Sequence, residues 1–440
     1  MQTGIAGNIH GNAVSAFEQS QRMRNRYRRR VVVTGLGVLS SVGVGKDKFW
    51  NNLKAGTSGI KPITFFDTEA FPVKIAGEVT DFEPHDFFPS ALIRRLDRFC
   101  LLGMAATKLA LNDANLTLVH DQTDKLCIVI GTAVGALAHA EKIHSVFVEK
   151  GMRRIPPFFT ATILPTSCAT QIAMMVDSCG YVMTVSTACA SGTSAIGEAF
   201  QLIRNGGFDI AIAGASESSI TPLSTAAFAT IGLLADDTAD PTTACRPFSK
   251  DRSGIVMAEG AAIVILEELE SATNRGAKIY GEILGYGHSF DSYHLLQPCP
   301  TGDYSAIAMK KAIVDAHLKP EDIDYVNAHG SASIPNDAAE TEAIKKAFGD
   351  HAYRLSVSST KSMIGHTLGA CGALEFVASA LMLENQFLHP TINLRKPDPQ
   401  CDLDYVPNEG RAQAVHTLLS NSSGFGGYNA ACVLQLLNSY

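Results

Sequence analysis

Apolar residues in this chain follow two patterns, which are continuous apolar or β-branched runs and longer stretches with apolar positions every three to four residues. The first pattern predicts buried strands, and the second predicts helices. Continuous runs predict strands over 30–39, 125–133, 182–186, 208–215, 260–266 and 279–287. Helical spacing predicts helices over 49–53, 91–112, 137–150 and 190–204, and the Pro- and Phe-rich residues 151–166 predict a loop. Strands that alternate with helices are typical of a layered α/β fold.

The rest of the chain repeats this alternation in shorter elements. The predicted strands are 324–328, 355–358, a segment near Leu403, a segment from Thr417, and 430–437, and the predicted helices are 306–316, 337–348 and 369–384. The order of elements matches that of the first part, and a boundary near Ala277 and Lys278 separates the two. The sequence therefore predicts two similar βαβ-type halves, residues 31–277 and residues 278–440.

Composition narrows the class of protein. The 440 residues are 46% hydrophobic and 18% charged, which suits a globular protein with a large core. A net charge of −7 gives no reason to expect a nucleic-acid partner. The ten cysteines are scattered without a CxxC pair, which argues against zinc and disulfides and favours a reducing, cytoplasmic location. No uncharged apolar stretch reaches about 18 residues, so we expect no membrane span.

The first thirty residues differ from the rest of the chain. The segment from Arg22 to Arg30 carries six arginines in nine residues and follows a polar start rich in Gly, Ala and Asn. We expect residues 1–30 to form a basic, flexible arm, and contact with an acidic partner is the open alternative. The Gly-x-Gly that follows is weak support for a dinucleotide site, because Ser40 stands where a third glycine should be.

Cys189 lies where the predicted strand 182–186 gives way to a helix. A thiol at a helix start meets unpaired N–H groups and the positive end of the helix dipole, which lower its pKa and favour the nucleophilic thiolate. Small neighbours such as Ala188 and Gly192 leave room for a substrate. The competing interpretation is a small, buried, inert cysteine, and the local pattern supports both equally.

Two histidines, His329 and His366, follow predicted strands in glycine-containing turns of the second half. Proteins of the α/β class place their sites at such strand ends, although a lone histidine there is more often structural. Together with a strand-end cysteine they indicate a Cys/His/His site, since a nucleophile needs oriented partners. Lys361 is a candidate buried, paired lysine near His366. Glu375 is a candidate partner, for which an exposed helix position is equally well supported.

The segment 421–429 packs three glycines into a tight turn. Backbone N–H groups in such a turn can stabilise a developing oxyanion. A plain hairpin is the commoner meaning of clustered glycines, and both interpretations stay open at this point.

Four motifs carry a resemblance to a known family. They are Thr187-Ala-Cys-Ala-Ser-Gly192, Asn327-Ala-His-Gly330, Lys361-Ser-Met-Ile-Gly-His366 and Gly424-Phe-Gly-Gly427. Together they resemble the β-ketoacyl-acyl-carrier-protein synthases of the thiolase fold, from about Val31 to the C-terminus. The resemblance implies an α/β thiolase fold with a layered αβαβα core and an acyltransferase without a metal.

The resemblance also implies roles for the candidate residues. Cys189 would carry an acyl group as a thioester. His329 and His366 would hydrogen-bond the thioester carbonyl of a malonyl-carrier protein while it loses CO2. Lys361 and Glu375 match a pair of charges that supports the His366 region in this family. The implied reaction is a decarboxylative Claisen condensation.

Further contacts are implied around the substrate. The backbone N–H groups of Cys189 and Ser423 would form an oxyanion hole, and the hydroxyls of Ser331 and Ser333 would bind a phosphopantetheine arm. The family's Gly-Thr-Ser-Thr or Gly-Ser-Gly-Thr is here Gly330-Ser-Ala-Ser333, which leaves the shape of this part of the pocket open. No cofactor is expected on this chain, because the phosphopantetheine belongs to the acyl carrier protein.

The motifs favour one branch of the family, the catalytic ketosynthase subunit of type II polyketide synthases. Fatty acid elongating enzymes usually carry a Phe as a gate where this chain has Ser423. The resemblance implies an iterative ketosynthase with two partners, an acyl carrier protein and a chain-length-factor homologue in a heterodimer, with a homodimer as the alternative assembly. A fatty acid elongating synthase is the alternative function, supported by Asn421-Ser422. The second alternative, a mainly structural partner subunit, is opposed by the intact cysteine and histidines.

Overall fold

The computed structural model describes residues 28–235 and 239–437, through which one mixed sheet runs. Its main strands are β1 (Val31–Ser40), β2 (Leu126–Gly131), β3 (Tyr181–Val185), β4 (Ile210–Glu217), β5 (Gly260–Glu268), β6 (Gly281–Phe290), β7 (Tyr325–Asn327), β8 (Ser356–Ser358), β9 (Thr417–Gly424) and β10 (Tyr428–Gln435). Two-residue strands lie at Gly43–Val44, Lys61–Pro62, Ile75–Ala76, Phe387–Leu388 and Arg411–Ala412. The strand predicted near Leu403 is replaced by an isolated bridge between Ser356 and Asp404.

The two halves of the sheet have the same strand order. The first half runs β3-β2-β4-β5-β1, and the second runs β8-β7-β9-β10-β6. In each half the first three strands are parallel, and the fourth and fifth are each antiparallel to the strand before. The halves join where Val31–Val33 of β1 pairs with β6. The predicted boundary at 277 and 278 lies in the connection that leads into β6.

Helices pack on both faces of the sheet. They are α1 (Lys46–Lys54), α2 (Ser90–Ile93), α3 (Arg98–Asp113), α4 (Leu137–Lys150), α5 (Phe159–Thr162), α6 (Ser167–Met175), α7 (Ser191–Arg204), α8 (Pro222–Thr230), α9 (Leu269–Asn274), α10 (Asp303–Asp315), α11 (Ile334–Phe348), α12 (Lys361–Ile364) and α13 (Cys371–Asn385). Short 3-10 helices lie at Pro84–Asp86, His120–Lys125, Met152–Arg154, Pro241–Thr243, Pro320–Asp322, Gly349–Tyr353, Leu368–Ala370 and Phe425–Gly427.

The helices and the sheet form five layers. Helices α7 and α13 pack together between the two halves of the sheet, whereas α3 packs on β1 and β5, and α10 packs on β6 and β10. Alternate residues of a strand point to opposite faces. Accordingly Val264 of β5 faces the cluster around α7 and α13, and its neighbour Ile265 faces α3. This arrangement is the layered αβαβα core that the family resemblance implied.

The central position of α13 explains its composition. All its residues from Cys371 to Leu383 are buried, because the helix meets apolar surfaces on every side. The segment Leu368–Asn385 is long and apolar enough to cross a membrane, but 89% of it is buried inside the fold, as in a core helix. A cytoplasmic location stays a prediction.

One long predicted helix is divided in two. The prediction of a helix over 91–112 is wrong at Arg94 to Asp97, where α2 has ended and α3 has not begun. Asp97 takes the N-cap position of α3, and its carboxylate accepts a hydrogen bond from the N–H of Phe99 at 2.9 Å. The predicted loop over 151–166 likewise contains α5 and a short 3-10 helix.

Two further predictions concern exposure. Residues 1–27 of the predicted basic arm lie outside the described residues, whereas Arg28, Arg29 and Arg30 form ion pairs with Asp315, Asp209 and Glu282. The last residues of the predicted arm are thus anchored to the fold.

The predicted buried strand 182–186 forms as β3, but it lies at the edge of the sheet and its side chains are exposed or half-buried.

Candidate active site

Cys189 lies in the turn between β3 and α7, as the sequence predicted. The residue before it, Ala188, has a φ of 49°, a left-handed conformation that the neighbouring structure must hold in place. Gly424 packs so closely on this turn that a Cβ on it would lie 3.0 Å from the backbone nitrogen of Cys189. The Cys189 side chain is buried and faces a cavity.

His329 follows β7, and its Nδ1 lies 3.2 Å from Nζ of Lys361. An ammonium group only donates, so Nδ1 of His329 must accept, and the proton of the neutral ring is on Nε2. Burial, helped by the charge of Lys361 and by His366, holds the pKa of His329 well below its usual range. The ring is therefore neutral near pH 7 and keeps one donor, the N–H at Nε2.

His366 reaches the same state through different contacts. The backbone N–H of Leu368 donates to its Nδ1 at 3.1 Å, and the sulfur of Cys371 lies 3.5 Å from the same nitrogen. Burial, and then the charge of Lys361, lowers the pKa of His366 to about 3. This ring is also neutral near pH 7, with its proton on Nε2.

Cys189, His329 and His366 line one cavity of about 650 Å³, a volume that includes its open mouth. The two ring centroids are 5.5 Å apart, and the ring planes are nearly perpendicular. The structure thus brings together the three residues that the sequence selected. Two preorganised N–H donors beside a thiol are suited to stabilise negative charge that develops on a substrate oxygen.

The serines that the sequence selected line the same cavity. The hydroxyl oxygens of Ser331 and Ser333 are 3.0 Å apart, and Ser423 donates to Oδ1 of Asn429 at 2.8 Å. Ala332 lies between the first two with a φ of 66°, which turns the chain sharply there. Hydroxyl groups therefore lie on the wall of the cavity, where an extended polar substrate could bind.

Comparison with known proteins identifies this arrangement. Residues 28–272 match the family model described as beta-ketoacyl synthase, N-terminal domain, and residues 280–395 match the model of its C-terminal domain. The chain belongs to the β-ketoacyl synthase family. It is an enzyme of the acyltransferase type, as the sequence predicted.

The synthase is similar to proteins from both branches of the family that the sequence analysis named, the fatty acid elongating synthases and the type II polyketide ketosynthases. It is 45% identical to the 3-oxoacyl-[acyl-carrier-protein] synthase 2 of Synechocystis sp., over 92% of this chain and 98% of that protein. The fold matches the ishigamide ketosynthase/chain length factor with a TM-score of 0.87, at 37% identity over 93% of this chain and 100% of that one. It matches a type II PKS ketosynthase in complex with its acyl-carrier protein with a TM-score of 0.86, at 35% identity and the same coverage.

The thiol of the synthase differs from the sequence prediction in its ionisation. Burial, with a smaller contribution from Cys371, raises the pKa of Cys189 to about 12, against the lowering effects of Lys361 and the backbone N–H of Phe425. The helix start does not offset the loss of water around the sulfur. The resting group is therefore the thiol, and its proton must leave as the sulfur reacts.

Lys361 and Glu375 form a buried ion pair beside His329. Nζ of Lys361 donates to Glu375 and, at 2.6 Å, to the carbonyl of His329. Burial alone would lower the pKa of Lys361, but neighbours that include Cys371 and Glu375 raise it overall, so the ammonium persists. The sequence placed this pair near His366, whereas the histidine that Lys361 hydrogen-bonds is His329.

The oxyanion hole expected at the backbone N–H of Ser423 stays a prediction, and the structure places a second backbone N–H beside the thiol. Ser423 is opposite Asn429 in the ladder of β9 and β10. The chain leaves that ladder after Gly424, and it is the backbone N–H of Phe425 that hydrogen-bonds the Cys189 sulfur. The ring of Phe425 stacks on Phe228, 6.2 Å away, and both line the cavity.

One supporting group was missed by the sequence reasoning. Glu340 of α11 accepts the backbone N–H groups of His329 and Gly330, each at 2.7 Å, and the side-chain amide of Asn421. Burial raises the pKa of Glu340 to about 7, against the lowering effect of these donors. Its sequence signal is a glutamate that shares a helix face with the apolar residues Ala343 and Ile344, three and four positions further on.

Proposed function

We propose that this synthase elongates fatty acids by joining an acyl group on Cys189 to a malonyl group carried by an acyl carrier protein. One observation carries the chemistry: Nδ1 of His329 and of His366 each accepts a hydrogen bond, which leaves both Nε2–H groups for the cavity of Cys189. The name of the Synechocystis relative supports the choice of fatty acid elongation.

In the first step the sulfur of Cys189 attacks the thioester carbonyl of the acyl-carrier protein. The carbonyl oxygen becomes negative and accepts hydrogen bonds from the backbone N–H groups of Cys189 and Phe425. The bond to the pantetheine sulfur then breaks, and the proton that Cys189 loses ends on that leaving sulfur. The acyl group is now held by Cys189 as a thioester.

In the second step a malonyl-carrier protein loses CO2 in the same cavity. The electron pair of the broken C–C bond moves into the thioester and leaves negative charge on its carbonyl oxygen. The Nε2–H groups of His329 and His366 donate to that oxygen and stabilise the enolate. Because both rings are neutral, they stabilise the charge by hydrogen bonding without transferring a proton.

In the third step the enolate carbon attacks the acyl thioester on Cys189. A new C–C bond forms, the C–S bond to Cys189 breaks, and the thiolate takes up a proton from solvent. The product is a β-ketoacyl group on the carrier protein. During both acyl transfers the N–H of Phe425 meets the oxygen that becomes negative.

The carrier's phosphopantetheine arm is part of the substrate in this proposal, and the chain needs no cofactor of its own. Ser331 and Ser333 line the cavity with their hydroxyls 3.0 Å apart, where they can bind the amide groups of the arm. Arg252 donates to the backbone carbonyl of Ser333 at 3.3 Å and of Ile334 at 3.0 Å, which fixes the position of this turn.

The proposed assembly pairs the edge strand β3 with another thiolase-fold chain. Tyr181 and Val182 of β3 are 41% and 39% exposed, which leaves an apolar edge strand open to pairing. A second copy of this chain is the partner that goes with fatty acid elongation. A chain-length-factor homologue is the partner that goes with the polyketide alternative.

A type II polyketide ketosynthase is the second candidate function, and the Ser423 side chain favours it. Its hydroxyl and the side chain of Asn429 form a polar patch on the cavity wall, at the position where fatty acid elongating enzymes usually carry a Phe as a gate. A polar wall suits a growing poly-β-ketone better than an alkyl chain. The third interpretation, a mainly structural subunit, has no observation in its favour.

Intact-mass measurement after incubation with acyl- and malonyl-carrier protein separates these functions. The wild-type homodimer, with Cys189→Ala as the control, should acquire an acyl adduct at Cys189 and release a carrier-bound product that is longer by one two-carbon unit. Repeated ketide additions that require a co-expressed homologue would favour the polyketide candidate. No adduct on the wild type with any acyl-carrier protein would contradict both.

A further inference from the structure

Glu217 is a buried carboxylate that the proposed reaction does not use. It ends β4, has no exposed surface, and is surrounded by donors from two different turns. Its oxygens accept hydrogen bonds from the hydroxyl of Thr132 at 3.1 Å and from the backbone N–H groups of Ala133 at 2.5 Å, Val134 at 3.4 Å, Gly135 at 3.2 Å and Gly369 at 3.2 Å. Four amides and a hydroxyl thus converge on one side chain.

The first of these turns, residues 132–135, supports the turn that carries the nucleophile. Ser191 donates to the backbone carbonyl of Thr132 at 3.2 Å and to that of Ala188, the strained residue before Cys189, at 2.6 Å. The N–H of Thr187 donates to the Ser191 hydroxyl at 2.9 Å. Any shift of 132–135 therefore reaches the backbone next to Cys189.

The second turn carries His366. Gly369 follows Leu368, whose N–H holds Nδ1 of His366. Gly369 lies so close to the first turn that a Cβ on it would come 2.3 Å from the nitrogen of Ala133 and 2.6 Å from Oε2 of Glu217. The two turns are therefore in contact, and Glu217 is the side chain that binds both.

We propose that Glu217 is a positioning residue, which holds the Cys189 turn and the His366 turn in one fixed relative placement through the backbone amides of both. A carboxylate suits this task, because it has acceptor sites on two oxygens and no hydrogen to repel converging N–H groups. A glutamine would present an NH2 group to some of these donors. Each turn could still fold, but their mutual placement would change.

Burial and the hydrogen-bond donors act in opposite directions on the ionisation of Glu217. Burial raises the pKa of its carboxyl to about 7, and the donors, led by the N–H of Ala133, act against that rise. The carboxylate also raises the pKa of the Cys189 thiol, but less than burial and Cys371 do. Loss of the charge alone should therefore leave the thiol no less reactive. A loss of turnover in a Glu217 variant would then come from placement.

The test compares Glu217→Gln with wild type in two assays, given the condensing activity of the family. The first assay is alkylation of Cys189 by iodoacetamide, followed by intact mass, which needs only the nucleophile. The second is CO2 release and condensation with malonyl-carrier protein, which needs Cys189 and His366 together. We expect alkylation within about threefold of wild type and a fall in kcat of about tenfold or more, because small misplacements have large effects on rate.

Glu267→Gln is the matched control. Glu267 is equally buried, and it pairs with Arg275 and Thr34, away from the cavity. This variant should lose stability without changing the ratio of the two rates. If Glu217→Gln folds poorly, Thr132→Val serves instead, because it removes one donor to the carboxylate, and we expect a fall of about threefold in kcat with alkylation kept.

Two results would overturn the inference. One is a Glu217→Gln protein whose alkylation and condensation fall together, in proportion to the folded fraction, since that is a purely structural effect. The other is a variant with the kcat of wild type. A wild-type protein that alkylates but never releases CO2 from malonyl-carrier protein would instead contradict the proposed function, so the two failures are distinguishable.

Discussion

The turns that carry His329 and His366 put the same group into the cavity by different means. At His329 a buried ammonium, Lys361, occupies Nδ1, and a glutamate holds the backbone N–H groups. At His366 a backbone N–H of the next turn, that of Leu368, occupies Nδ1. In both arrangements the ring is neutral and carries its proton on Nε2.

This difference shows that the fold fixes the protonation state of both rings. It does not require the same hydrogen-bond donor at Nδ1 of each ring. The charged donor Lys361 and the neutral N–H of Leu368 both place the ring proton on Nε2, because either one makes Nδ1 an acceptor. Burial keeps both rings neutral, since a protonated ring would lose its hydration inside the fold. The two turns should therefore respond alike to loss of the ring and unlike to loss of the partner.

Removal of either ring is the largest expected effect. His329→Ala and His366→Ala should each lower the rate of CO2 release from malonyl-carrier protein by about 10²-fold to 10³-fold, as when a donor to an oxyanion is lost. Acylation of Cys189 should continue, because its oxyanion meets backbone N–H groups. The control is His416→Ala, an exposed histidine outside the cavity. If the rates of the two alanine variants differed by far more than tenfold, the two rings would not play equivalent roles.

Loss of Lys361 should affect the His329 turn more than the His366 turn, because Lys361 hydrogen-bonds the ring of His329 and acts on His366 only through its charge. Lys361→Met leaves Glu375 buried without its partner, so we expect the free energy of unfolding to fall by about 3–5 kcal/mol in urea titrations. The double variant Lys361→Met/Glu375→Gln removes that uncompensated charge and should regain most of the stability. Its CO2 release should stay at least about tenfold below wild type, because Nδ1 of His329 still lacks a donor. Full recovery of the rate in the double variant would count against the assigned role of Lys361.

The neutral state of His366 has a consequence for stability against acid. Its pKa is near the usual 6.5 in the unfolded chain and about 3 in the folded protein, so below pH 6.5 the unfolded state binds a proton that the folded state does not. The contribution of neutral His366 to the free energy of unfolding is fully present above pH 6.5 and decreases as the pH falls below that value. Between pH 7 and pH 5, wild type should lose about 2 kcal/mol more than His366→Ala.

Denaturant unfolding of both proteins at each pH measures this difference. The pKa values of Glu217 and Glu340, raised to about 7, act with the opposite sign, but both proteins carry these groups and their effects cancel in the comparison. Equal losses in the two proteins would mean that His366 is protonated inside the fold.

The sequence predicted the parts of this site that local pattern determines. A strand that stops at small residues before a helix places Cys189, and strand ends followed by glycine turns place His329 and His366. The layered fold and its repeat follow from the alternation of elements, because apolar strands need helices on both faces. The break between α2 and α3 was missed, although Asp97 is a readable N-cap signal.

What the sequence did not predict depends on contacts between distant segments. The N–H that reaches Cys189 comes from Phe425, two residues after the expected Ser423, because the point where a glycine-rich turn leaves its ladder is set by packing. The thiol pKa rises because burial from all layers exceeds the effect of the helix start, which no local pattern shows. Glu217 and Glu340 act on amides far away in the chain, so their role is invisible in sequence spacing.

The most direct test of the account is nitrogen-15 NMR of the histidine rings in the assembled synthase at neutral pH, with His329→Ala and His366→Ala used for assignment. The account predicts that both rings are neutral, with Nε2 protonated and Nδ1 unprotonated. A ring protonated on both nitrogens, or one with its proton on Nδ1, would contradict the claim that the two turns fix the same donor.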